Sequence, residues 1–126
     1  MKLLVVGSRG IREFDFAPHI PKTVDLLISG GAAGMDKLAE AYADAHKISK
    51  LILYPNYALY GRAAPLKRNE KMVDICDEVL AVWDGKSRGT AHTIRYAKKQ
   101  GKAVTVLIPD GALASELEFK QKKKEP

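Results

Sequence analysis

The sequence predicts one doubly wound α/β domain, built on a mainly parallel five-stranded sheet with helices on both faces. Three observations carry this. Short runs of β-branched and aliphatic residues recur along the chain, segments of helical periodicity separate them, and glycine clusters follow the first, second and fourth runs.

The five runs are "LLVV" at 3–6, "DLLIS" at 25–29, "KLILY" at 50–54, "EVLAVW" at 78–83 and "AVTVLI" at 103–108. They are continuously apolar rather than alternating, as strands covered on both faces are. Between them, "GMDKLAEAYADAHK" places Met35, Leu38, Ala39, Tyr42 and Ala45 on one helical face. "PLKRNEKMVDIC" opens with Pro65 in its first turn and turns Leu66, Met72, Val73 and Cys76 to the sheet, with Lys67, Arg68 and Lys71 toward water. "TAHTIRYAKKQG" buries Ala91, Ile94 and Ala97 and stops at Gly101. Pro18 and Pro21 limit the segment 14–22 to a short or irregular helix. Residues 1–108 form the domain. Residues 109–126 form a tail, either solvated or carrying a short helix through Leu113 and Leu117 before a lysine-rich end.

The formal charge of +6 suits an anionic partner such as a nucleotide or nucleic acid. The last twelve residues hold four lysines and three glutamates, so the positive excess lies on the body of the domain. One cysteine, Cys76, forms no internal disulfide, and it falls on the apolar face of its helix as a small core thiol. The run Leu3 to Val6 is too short for a signal peptide or membrane span, so the expected compartment is the cytoplasm, with no membrane association.

In a parallel sheet every loop that follows a strand emerges at one edge, and ligands sit where the strand order reverses. With the order 3-2-1-4-5, three glycine-rich loops line one crevice: Gly7, Ser8, Arg9 and Gly10; then Gly30, Gly31, Ala32, Gly34 and Asp36; then "DGKSRGT" at 84–90. Glycine lets backbone amides approach a ligand, and a helix start adds unpaired amides and the positive end of the dipole. In the third loop Asp84, Gly85, Ser87, Arg88, Gly89 and Thr90 thus read as a phosphate cradle, with Lys86 and Arg88 as counter-charges; the alternative is a small-residue turn whose cations face water. "GKS" is not the end of a P-loop, because the glycine required five positions before Gly85 is Leu80. Nor does the second strand end in a ribose-binding carboxylate; Ser29 and Gly30 stand there.

Taken in order, "GSRG", "ISGGAAGMD", "LKRNEKM" and "WDGKSRGT" resemble the SLOG superfamily of Rossmann-like proteins, over roughly residues 2–108. That group includes the lonely-guy phosphoribohydrolases, the Smf/DprA DNA-processing proteins and a small YspA/YpsA-like branch, which the chain resembles most. The resemblance implies a nucleotide-derived ligand such as NAD, ADP-ribose or a nucleoside monophosphate, and a homodimer or larger assembly; no cofactor is required, and no metal is expected, because no cluster of histidine, cysteine and carboxylate has metal-ligand spacing. The resemblance also implies two alternatives: hydrolysis of nucleotide N-glycosidic bonds, and DprA-like binding of single-stranded DNA.

For hydrolysis, Arg68 and Met72 match the phosphoribohydrolases' Arg-Lys-x-x-Met motif with Asn69 in place of lysine, and Gly89 and Thr90 match their Gly-Thr. Their catalytic glutamate falls on Thr93, which supplies no carboxylate. The enzyme reading is therefore the weaker one, and Asp36, Glu70 or Asp84 would have to substitute. Each has a structural alternative: a helix-start acid for Asp36, a partner of Lys67 or Lys71 for Glu70, a turn cap or ribose contact for Asp84. Arg68 and Asn69 are read as contacts to phosphate and to ribose or base, and Arg9 as a second phosphate contact. Tyr54, Tyr57 and Tyr60 lie in a long connection that suits either a lid or a subunit contact, while Trp83 reads as core and His92 as structural or a proton donor.

Overall fold

The computed structural model describes residues 1–114. Five strands, β1 (Lys2–Gly7), β2 (Leu26–Ser29), β3 (Ser49–Ile52), β4 (Glu78–Val82) and β5 (Ala103–Leu107), form one sheet in the order β3-β2-β1-β4-β5. Every pair is parallel, with Leu4 of β1 aligned with Ile28 of β2 and Val79 of β4. The fold is thus Rossmann-like α/β, as the alternating pattern predicts.

The central strands are buried on both faces, which explains their unbroken apolar runs. On one face Leu3, Val5, Leu27, Leu80 and Val82 pack against Met35, Ala39 and Ala43 of α1 (Met35–Ala45). On the other, Leu4, Val6, Ile28, Val79 and Ala81 meet Met72 and Val73 of α3 (Ala64–Ile75), Cys76 just past its end, and Ile94 and Ala97 of α4 (Arg88–Lys99). Each Leu, Val, Ile or Met side chain so removed from water contributes about 1.5–3 kcal/mol before chain entropy is subtracted. The edge strands are wetter. In β3, Ser49, Lys50 and Leu51 are exposed, and Lys50 pairs with Asp44 at 2.8 Å.

Three expectations need correction. Segment 14–22 holds no helix; the β1–β2 crossover is turns and extended chain that still delivers Ile11, Phe16, Ile20 and Val24 to the core. The inner face of α1 is rotated from the apolar positions, so that Asp36 and Glu40 are buried beside Ala39 and Ala43 while Ala45 is exposed. The reason is Ser29, whose hydroxyl donates to the Glu40 carboxylate at 2.7 Å from the end of β2. Finally, residues 109–114 do not begin a helix. The chain reverses, and Leu113 bridges antiparallel to Leu107, with Ala114 N donating to Val106 O at 2.9 Å. Leu117 and the lysine-rich end lie outside the described residues.

Candidate functional site

The strand order reverses between β1 and β4, and at the carboxyl ends of these neighbours a crevice of about 430 Å³ opens. Gly7, Ser8, Arg9 and Gly10 line it from β1, and Ala32 and Asp36 from the start of α1. Arg68, Asn69 and Met72 face it from α3, and Asp84, Ser87, Gly89 and Thr90 from the β4–α4 turn. Most sequence-predicted site residues therefore meet. Gly30, Gly31, Gly34, Gly85 and Arg88 lie off this wall, and Val6, Pro65, Leu66 and Met72 join it. Gly10 was legible from its loop, and Arg68 and Asn69 from the motif they fall in; Pro65, Leu66 and Met72 were not legible as crevice lining, because only the folded helix brings them beside the strand ends.

Several of the glycines answer to packing between loops rather than to a ligand. Gly34 has φ +76°, and a Cβ there would run into the backbone of Arg9, so the first and second loops touch at this point. A Cβ on Gly30 would lie 2.8 Å from the Arg68 Cζ, and one on Gly7 would strike Met35. Gly10 and Gly89 differ. A Cβ at either meets nothing within 4 Å among the described residues, and neither has a positive φ. Both border the crevice, where a bare backbone matters only to something that enters it.

The cradle loops are also partly self-filled. Asp84 Oδ1 accepts the amides of Lys86 and Ser87, each at 2.8 Å. Burial works against its ionisation, but the Ser87 and Lys86 amides and the Ser8 hydroxyl outweigh it and hold Asp84 below the usual carboxylate range. Ser87 caps α4 by accepting from Thr90 N at 3.4 Å. The first-turn amides left for an incoming anion are those of Arg88 and Gly89. In the second loop, Asp36 Oδ2 accepts the Ala32 amide at 3.0 Å and Ser29 Oγ accepts that of Gly31 at 3.3 Å. That loop is occupied by its own side chains, contrary to its reading as an open cradle.

Arg68 is buried, at 9% exposure, rather than turned to water. Its Nη1 donates to Gly30 O and to Leu53 O (3.1 Å), tying the ends of β2 and β3 together, and its Nε donates to Asn69 Oδ1 at 2.8 Å. Helical periodicity assigned it to solvent because the carbonyls it serves come from two distant loops. Among the described residues these bonds use Nε and Nη1 of its five-donor fork, and Arg68 lines the crevice. Burial lowers its pKa and nearby Asp36 opposes that shift. Asp36 is itself 8% exposed; burial pushes its carboxyl above the ordinary range, against the pull of the Ala32 amide and the Arg68 charge.

Thr93 is fully buried and donates from Oγ1 to Gly89 O at 2.9 Å, so it braces the glycine from behind rather than facing the crevice. His92 Nε2 pairs with Glu70 Oε2 at 2.9 Å between α3 and α4, and neither lines the crevice. Trp83 donates its Nε1 hydrogen to Ser87 O at 2.9 Å and packs on the α3–α4 core. Cys76 is buried, and burial raises its thiol pKa. Tyr54, Tyr57 and Tyr60 are exposed around α2 (Tyr57–Tyr60), which a 3₁₀ turn joins to α3. They line no part of the crevice; Tyr54 and Tyr60 instead border a neighbouring groove with Lys67 and Lys71. Among the described residues no group of three metal-ligating side chains converges, and no helix is long and apolar enough to cross a membrane. No protein-family model, curated protein or solved structure matches the chain.

Proposed function

We propose that this domain binds a nucleotide-derived anion in the crevice between β1 and β4, with a phosphate on the backbone at the start of α4. The observation that carries this is Gly89. It stands in the first turn of α4, where a glycine weakens the helix, yet neither its dihedrals nor any neighbouring atom requires it. A ligand seated against the bare backbone would require it. Arg68 and Arg9 supply countercharge on the same wall. The motif resemblance to the SLOG superfamily points to the same ligand class. Assembly into a homodimer belongs to this proposal as well, on the motif resemblance alone.

Calorimetric titration with AMP, NAD, ADP-ribose and a single-stranded oligonucleotide tests this reading. Saturable binding of a mononucleotide or dinucleotide supports it. Salt-sensitive binding of the oligonucleotide alone replaces it with the DNA reading.

One observation favours a second reading, cleavage of the N-glycosidic bond. Asp36 and Asp84 share the crevice, and their surroundings push their pKa values in opposite directions, as in a general acid paired with an ionised carboxylate. Chromatography of the AMP mixture for free adenine decides between binding and turnover.

A further inference from the structure

Asp36 is more than nine-tenths buried, and the surface it retains opens into the crevice. Among the described residues its Oδ2 accepts the Ala32 amide and no hydrogen bond reaches Oδ1. An ionised carboxylate only accepts, and no side-chain oxygen sealed from solvent among the described residues lacks a partner, so Oδ1 keeps contact with solvent at the crevice and is open to a donor from whatever fills it. Arg68 and Arg9 both act on this carboxylate electrostatically, and they would repel a cationic donor as strongly as they attract an anion. A neutral donor fits. In a nucleotide whose phosphate sits at Gly89, the ribose is bonded next to that phosphate and shares the same small space, while the base projects further out. Asp84, the other carboxylate on this wall, already has one oxygen filled by two amides.

Resting on the crevice reading above, we infer that Asp36 accepts from a ribose hydroxyl of a nucleoside 5′-phosphate, so that a nucleotide lacking that hydroxyl binds more weakly. The role that many dinucleotide-binding folds give to a carboxylate at the end of the second strand thereby falls to a residue in the first turn of the following helix.

The test is titration of the full chain with AMP, 2′-deoxy-AMP and 3′-deoxy-AMP, repeated on Asp36→Ala and Asp36→Asn. The asparagine retains an oxygen for the Ala32 amide, so it remains informative if the alanine variant fails to fold. The wild-type chain should bind AMP roughly tenfold or more tightly than at least one deoxy analogue. In the variants that ratio should fall toward one, through loss of AMP affinity alone. Equal wild-type affinity for all three, or an unchanged ratio in the folded variants, overturns the ribose assignment and leaves the crevice reading standing. If none of the three binds, the crevice reading falls and this inference falls with it.

Discussion

Asp84 Oδ1 accepts the Ser87 amide at 2.8 Å, so the turn that opens α4 closes on its own carboxylate. The bond to Lys86 N doubles this contact, and the hydroxyl of Ser8 takes the Asp84 amide at 3.2 Å from the neighbouring loop. The turn is therefore held before any ligand arrives, and the first residues of α4 are presented in a fixed geometry. Preorganisation of this kind lowers the cost of binding, because less of the loop must be ordered when the ligand arrives.

Two glycine substitutions should separate packing from ligand approach. Gly34→Ala places a methyl group on the Arg9 backbone at positive φ and should destabilise the fold by roughly 2–4 kcal/mol. Gly89→Ala adds a methyl to open space in a helix and should change stability by less than about 1 kcal/mol, to the stabilising side. Urea denaturation with unchanged slopes reads both.

Arg68→Met should lower stability by about 2–4 kcal/mol, because the carbonyls of Gly30 and Leu53 lose their donor in a part-buried setting. Arg68→Lys should recover part of this loss, since an ammonium reaches one carbonyl but lacks the fork. Equal midpoints for wild type and Arg68→Met would show that the guanidinium does not join the strand ends.

The two crevice carboxylates should leave opposite marks on stability against pH. Burial raises the folded pKa of Asp36 above its unfolded value of 3.8, so the native state holds this proton more tightly. Relative to Asp36→Asn, the wild type should thus gain stability as pH falls through the raised folded pKa, and lose it as pH rises. Asp84 has a folded pKa below 3.8, so its contribution is present above 3.8 and is lost as pH falls through the lower value. Denaturation of wild type, Asp36→Asn and Asp84→Asn between about pH 3 and pH 8 checks both signs.

The strands and the three long helices were legible because continuous apolar runs and helical periodicity are local signals, and β1, β2 and β4 are buried on both faces; the strand order came from the usual topology of such a sheet. Gly101, which ends α4 at φ +76°, and Pro65, in the first turn of α3, were legible as local signals too. What the sequence hid depends on partners far apart in the chain. Arg68 is buried because two distant carbonyls meet it, and Glu40 because Ser29 reaches it from β2. Composition marked the glycine loops as a site, but only coordinates separate Gly34, which makes room for Arg9, from Gly89, which makes room for nothing among the described residues.

The most direct test of the crevice reading is calorimetric titration of AMP into wild type and Gly89→Leu, with thermal unfolding of both as a control for folding. We expect saturable binding by wild type, a similar unfolding temperature for the variant, and a loss of affinity of at least about tenfold as the new side chain enters the crevice. Unchanged affinity in the folded variant, or no saturable binding by wild type, would contradict the placement of a nucleotide phosphate at the start of α4.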